Sequence, residues 1–201
     1  MEMGITNELF QTERDETQGC QFASTPNDTT NTEAASAVEM LSGIEKFALF
    51  MRFLAPLAPV IDPAKAPSIA RGKALFSQVG CSLCHTPTLQ TGESTVAALS
   101  NKAVNLYSDL LLHDMGWGLA DGVSQGQAGP REFRTAPLWG LGERIFFLHD
   151  GHTRDLMEAI QAHQSGSAYS RDVSEADGVI RKFNDLTESQ KQDLLNFLRS
   201  L

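Results

Sequence analysis

Cys81, Cys84 and His85 are the residues of this chain whose types and spacing can do chemistry. Two cysteines separated by two residues and followed at once by histidine form the pattern of covalent c-type haem attachment. The spacing has a chemical reason. Two thiols add across the vinyl groups on one edge of a haem, and the turn between them carries the next side chain under the iron. His85 then supplies the proximal imidazole, a usual axial ligand in cytochromes c. Two other chemistries use a cysteine pair of this spacing. A thioredoxin-like redox pair belongs at a strand-to-helix turn in a βαβ pattern, and no β-rich run precedes Cys81. A zinc site needs four ligands and normally a second knuckle, whereas the third cysteine, Cys20, is remote and unpaired in sequence. An enzyme using Cys81 and Cys84 as thiol nucleophiles conflicts with haem attachment, because a thioether sulfur is no longer a nucleophile.

Helices must position this turn. Ser68 to Phe76 reads as an amphipathic segment, with Ser68 as its cap and Ile69, Leu75 and Phe76 as a buried stripe. Helices are expected near 37–54, 68–79, 154–163 and 188–200. Val38, Leu41, Ile44, Phe47, Ala48, Met51 and Leu54 recur at helical spacing in the first, which Pro56 and Pro59 stop. Thr153 is the expected cap of the third, with Leu156, Ile160 and His163 on one side. Thr187 and Gln190 form a capping box for the last, whose Leu194, Leu195, Leu198 and Leu201 face inward. A polar loop crosses 164–178, and 116–129 is a Gly-rich surface loop. The fold class expected is mostly α, a cytochrome c-like helical domain with long loops, little sheet and an irregular N-terminal extension. Three segments follow: an acidic extension over 1–35, a helix with a Pro-rich linker over 36–67, and the haem-binding domain over 68–201. Without haem, Cys81 and Cys84 are expected to line a cavity walled by apolar side chains.

Composition narrows the function. The chain has 201 residues, 41% of them hydrophobic, and a net charge of −9, enough for one good core. Residues 1–42 hold one basic and eight acidic side chains, and the remainder is near neutral. No basic stripe with interleaved aromatics points to nucleic acid. The longest apolar run, Phe47–Met51, is too short to span a bilayer. Residues 1–20 hold no basic-then-apolar leader, yet haem c is attached outside the bacterial cytoplasm. A periplasmic location is therefore expected, with either a leader removed or this chain the C-terminal piece of a longer polypeptide.

Four segments in order carry a resemblance: C-S-L-C-H-T-P at 81–87, Y-S-D-L-L-L-H-D-M-G at 107–116, R-E-F-R-T-A-P-L-W-G at 131–140 and F-L-H-D-G at 147–151. With the closing L-L-N-F-L-R-S-L, the chain from about residue 40 onward resembles the C-terminal half of the di-haem oxidoreductases, also labelled thiol oxidoreductases. These lie within the di-haem cytochrome c peroxidase superfamily. His152 and Trp117 depart from the family pattern, where arginine and proline are more usual. The resemblance implies two haem c groups per full protein. Only one C-x-x-C-H is present here, so this chain is expected to hold one covalent haem c and to partner an N-terminal haem domain or another redox protein.

Methionine or histidine normally fills the far side of an electron-carrying haem. Met115, His113, His149, His152, Met157 and His163 are the candidates, and Met115, on a loop 30 residues beyond His85, is favoured. A vacant distal site is the other arrangement, since peroxidase chemistry needs one open iron. His149 reads as a loop-holding residue and His163 as a satisfied buried imidazole. Arg131 and Arg134 are candidate partners of the haem propionates, because a guanidinium matches a carboxylate in a fork. Trp117 and Trp139 read as packing for the haem pocket. The functional expectation is an electron-transfer haem domain, half of a di-haem peroxidase-like oxidoreductase. A self-contained mono-haem carrier or redox sensor is the alternative.

Overall fold

The structure, a computed structural model, describes residues 43–55, 58–165 and 173–201. The expected extension over 1–35, Cys20 and the start of the first expected helix lie outside the described residues, as does 166–172 of the expected polar loop. The chain divides into two units, Met1–Ala55 and Pro56–Leu201. In the first, helix α1 spans Gly43–Phe53; Phe47, Phe50 and Met51 are exposed on it.

Asp62 opens the first helical turn of the second unit, its carboxylate accepting the Ala64 N–H at 2.9 Å. That caps a 3-10 turn, Pro63–Lys65, which runs into helix α2, Ala66–Val79. Pro67 sits in the first turn of α2, where its missing N–H costs no hydrogen bond. Ser68 is not the cap; it lies inside the helix and donates to Asp193 at 2.6 Å. Gly80 ends α2 at φ +110°, a backbone state that a residue with a Cβ adopts only under strain.

Helix α5, Glu188–Leu198, opens with the capping box of Thr187 and Gln190. It crosses α2 at Gly72, where a Cβ would run into the Asp193 carbonyl and stand 2.7 Å from Phe197 Cβ. The two helices are pinned beside that crossing. Arg71 forks onto Asp193 at 2.7 and 2.8 Å, and Asn196 donates to Ser68 Oγ at 2.8 Å. Phe76 brings its ring to Phe197 at 5.4 Å and to Tyr107 at 5.9 Å, both edge-on. Val79, Leu141, Phe147, Leu156, Phe183, Leu194 and Leu198 complete the core around them. Each such side chain contributes about 1.5–3 kcal/mol on burial.

The expectation of a mostly α fold is corrected here. Among the described residues there are five α-helices and two two-stranded antiparallel sheets, so the fold is mixed. Strand β1 (Leu89–Gln90) pairs with β2 (Ala103–Val104), and β3 (Leu112–Asp114) pairs with β4 (Glu132–Arg134), with His113 opposite Phe133. Strands of two or three residues are too short to show alternation in sequence. They form because the long excursion after His85 must satisfy its backbone donors and acceptors, and the ladders do so.

Two helices also differ from expectation. Helix α3 is Leu156–Gln161, capped by Asp155, which accepts from Met157 and Glu158 N–H. Thr153 instead accepts from the Asp155 N–H and donates to Glu158. Helix α4, Asp177–Asn184, begins where a polar loop was expected and buries Ile180 and Phe183.

A candidate haem site

Directly after Gly80 the chain makes a 3-10 turn, Cys81–Leu83. The Leu83 N–H bonds to the Gly80 carbonyl at 3.0 Å and the His85 N–H to the Cys81 carbonyl at 2.9 Å. Both sulfurs and the imidazole are thereby carried on one tight loop. The block at 107–109 lies alongside it, with the Asp109 N–H on the Cys84 carbonyl at 2.9 Å.

His85 Nδ1 stands 3.0 Å from the Tyr107 carbonyl oxygen. A carbonyl only accepts, so Nδ1 carries the proton and the Nε2 lone pair is free. Burial pushes the imidazole pKa down to about 4, against the opposing pull of the Tyr107 carbonyl. His85 is therefore neutral at pH 7, as a metal ligand must be. Tyr107 reaches this position at φ +54°, a left-handed state that costs a residue with a Cβ about 1–2 kcal/mol. The surrounding structure holds that strain at the residue that orients the ligand.

His163, just beyond α3, mirrors this arrangement. Its Nδ1 donates to the Ala159 carbonyl at 2.8 Å, and burial lowers its pKa. The two rings stand 6.5 Å apart, centre to centre, tilted by 58°. Two metal–nitrogen bonds of about 2.0–2.1 Å, with about 1.1 Å from each nitrogen to its ring centre, sum to about 6.3 Å. A centroid separation of this size leaves room for one ion between the rings.

The thiols are in their protonated state. Burial raises the Cys81 pKa to about 11; burial, then the carboxylates of Asp109 and Glu175, raise that of Cys84. Catalytic C-x-x-C pairs are driven the opposite way, toward thiolate, so the site opposes a thiol-redox reading.

A family model described as "Di-haem oxidoreductase, putative peroxidase" matches residues 1–201. The chain belongs to that family. Membership suggests a redox function of the di-haem oxidoreductase class and implies haem binding. The match also covers the first forty residues, which the four sequence blocks did not reach. No curated protein and no solved structure matches the chain.

The other site expectations for this di-haem oxidoreductase fall in different places. His113 donates from Nδ1 to Glu175 at 2.7 Å and from Nε2 to Asp109 at 2.9 Å. Burial disfavours its charged form, but the two carboxylates outweigh this and raise its pKa. With both nitrogens engaged, it offers no lone pair. Met115 is half-buried and its N–H bonds to the Arg131 carbonyl at 2.9 Å, extending the β3–β4 pairing. Arg131 Nη2 donates to Asp114 at 2.7 Å and its guanidinium lies 5.1 Å from the Trp117 ring centre, which ties the hairpin together. Arg134 lies on β4 opposite Leu112. His149 stacks on Phe133 at 4.4 Å, and His152 bonds its neighbour Asp150. Met157 lines an open cleft of about 250 Å³ with Arg154, Leu195 and Arg199. Tyr107, Asp109 and Glu175 were missed as site residues. Tyr107 acts through its backbone, which leaves no trace in residue type, and Glu175 is 62 residues from its partner His113.

Proposed function

We propose that this chain is a haem c-binding electron-transfer domain of a di-haem oxidoreductase, in which Cys81 and Cys84 would hold the haem through thioether bonds and His85 and His163 would hold its iron. The observation that carries this reading is the pair of neutral imidazoles, each fixed by an Nδ1–H bond to a backbone carbonyl, 6.5 Å apart beside the cysteine turn. A c-type haem held there supplies one-electron transfer at a potential set by its axial ligands. The residues present fit that group. Tyr107 and Ala159 orient the two rings through their carbonyls, which is how outer partners fix the tautomer and direction of a metal-binding histidine. If both imidazoles held the iron, no open position would remain for peroxide, and the domain would serve to relay electrons. His163 takes the place that sequence reading gave to Met115.

The relay needs a partner, and we place it in a second haem domain outside the described unit, with the whole protein beyond the cytoplasm where haem c is attached. The test is expression with export and a haem-attachment system. Covalent haem on the denatured chain and a low-spin spectrum without a sulfur–iron band are expected. A chain recovered without haem, or a sulfur–iron band lost in Met115→Ala, would overturn the reading.

A further inference from the structure

A second group of titratable side chains stands beside the cysteine turn, built around His113. Its Nδ1 donates to Glu175 at 2.7 Å and its Nε2 to Asp109 at 2.9 Å. The same Nδ1 lies 3.8 Å from the Cys84 sulfur. Both carboxylates are fixed by further bonds. Asp109 accepts the Leu111 N–H at 3.0 Å, and its own N–H is bonded to the Cys84 carbonyl. Glu175, from the segment ahead of α4, accepts the Asp114 N–H at 3.0 Å. Across the hairpin His113 pairs with Phe133, which carries no charge. Glu132 and Arg134 flank Phe133 and, by strand alternation, face the other side of the hairpin; Asp114 does likewise and is paired with Arg131. The His113 side chain is only 17% exposed. One imidazolium between two carboxylates leaves one negative charge in excess against the cysteine turn.

We propose that His113 couples proton uptake to electron uptake in this domain, through the charge it holds beside the Cys84 sulfur. The inference rests on the haem reading, in which that sulfur would be bonded to the macrocycle. The imidazolium then stands 3.8 Å from an atom covalently joined to the redox group, in a half-buried site where water screens charge less than in bulk. An electron entering the site adds one negative charge, and His113 answers it with one proton from water onto a ring nitrogen. No other bond of the chain forms or breaks. Of the groups around the sulfur, His113 is the one whose charge changes near neutral pH. The bond from His113 and the Asp114 N–H hold the Glu175 carboxylate below its usual range. Burial opposes the ionised form of Asp109, but its bonds from Leu111 and His113 outweigh this and keep it low as well. His85 is neutral above about pH 4. Burial also disfavours the His113 imidazolium, yet the bonds to Glu175 and Asp109 prevail and raise its pKa above 6.5. Reduction favours the protonated ring, so the oxidised and reduced domains differ in proton affinity over a window above pH 6.5. Across that window the potential falls as pH rises; outside it, this group contributes no slope.

The test is a potentiometric titration of the haem-loaded chain, followed by visible absorption at intervals between about pH 5 and 9. The potential should fall through a window above pH 6.5, with a slope approaching about 59 mV per pH unit, the value for one proton taken up per electron. His113→Gln keeps a hydrogen-bonding side chain without a titrating ring and should flatten the slope in that window. Glu175→Gln removes one of the two charges that hold the proton, so the window should move down by about one pH unit and persist. A role confined to packing would not move it. Glu175 is 54% exposed, so this variant keeps the test open if His113→Gln fails to fold. A slope that His113→Gln leaves unchanged, or a window that Glu175→Gln leaves in place, overturns this proposal alone, since the haem reading stands wherever covalent haem is found. A chain recovered without covalent haem overturns both.

Discussion

Acidifying the haem-free chain from pH 6.5 to pH 4 should remove about 3 kcal/mol of stability through His85 alone. Its imidazole titrates near 4 in the fold, against about 6.5 in an unfolded chain. Each unit of difference is worth 1.36 kcal/mol, so the gap of about 2.5 units amounts to about 3.4 kcal/mol. The sign follows from proton uptake. Below pH 6.5 the unfolded chain binds a proton that the buried ring refuses, so unfolding is favoured progressively until the folded ring also titrates. Above 6.5 neither state is protonated at this site and the contribution is flat. For a domain stable by about 5–15 kcal/mol, the loss is large.

Other groups act in the same or in neighbouring windows. His163, also lowered, adds to the fall between 6.5 and 4. Asp109, Glu175 and Asp193 have lowered values, so their contributions are lost only as pH falls below about 4. His113 is raised and acts above 6.5, where stability is lost as pH climbs through its folded value. Urea titrations at intervals between pH 4 and 8, followed by far-ultraviolet circular dichroism, would give the profile. His85→Asn cannot protonate and should flatten the 4–6.5 slope by about 3 kcal/mol, whatever its absolute stability. An unchanged slope in that variant would refute the reasoning.

Three further outcomes are expected. In the haem-loaded chain, His163→Ala should convert a low-spin to a high-spin spectrum while Met115→Ala leaves it low-spin; the reverse pattern restores Met115 as the ligand. Gly72→Ala should destabilise by about 1–3 kcal/mol or more in urea unfolding, because its methyl meets the Asp193 backbone at the α2–α5 crossing. Ser108 is fully buried, and its hydroxyl donates to the Thr135 carbonyl at 2.6 Å while accepting the Leu110 N–H at 2.9 Å. Ser108→Ala should therefore cost about 1–3 kcal/mol by leaving those groups unpaired, and an unaltered midpoint would count against that role.

Local signals were legible where a short stretch of residues carried the whole physical reason. The cysteine turn is one case, since the spacing of its thiols is itself the chemistry. The box of Thr187 and Gln190 is another, because both partners of each bond lie within three residues. Helix α4 was not legible: with eight residues, its inward stripe is little more than Ile180 and Phe183. The β3–β4 pairing joins residues about twenty apart, and its strands are too short to alternate. His163 stood on the inner side of its helix in the sequence. Its distance from His85 is set by the core that packs α3 near α2, which single-sequence periodicity does not encode.

The ten-residue block at 107–116 shows why a specific motif need not be a catalytic one. Its work is done largely by the main chain: the Tyr107 carbonyl holds His85, the Asp109 N–H holds Cys84, and the Leu111 carbonyl accepts the Thr135 N–H. Tyr107 and Leu110 both sit in the left-handed region, at φ +54° and +62°. Neither is a residue that favours it, so the side chains must compensate. Tyr107 does so by burying its ring against Phe76 and Phe197, Ser108 by its two buried bonds, and Asp109 by accepting the Leu111 N–H at 3.0 Å. Asp114 completes the strap through Arg131, and its own N–H is held by Glu175 at 3.0 Å. Each residue type is then fixed by the backbone path it must stabilise. The reactive atoms lie one bond further on, in the histidine and the cysteines that this path encloses.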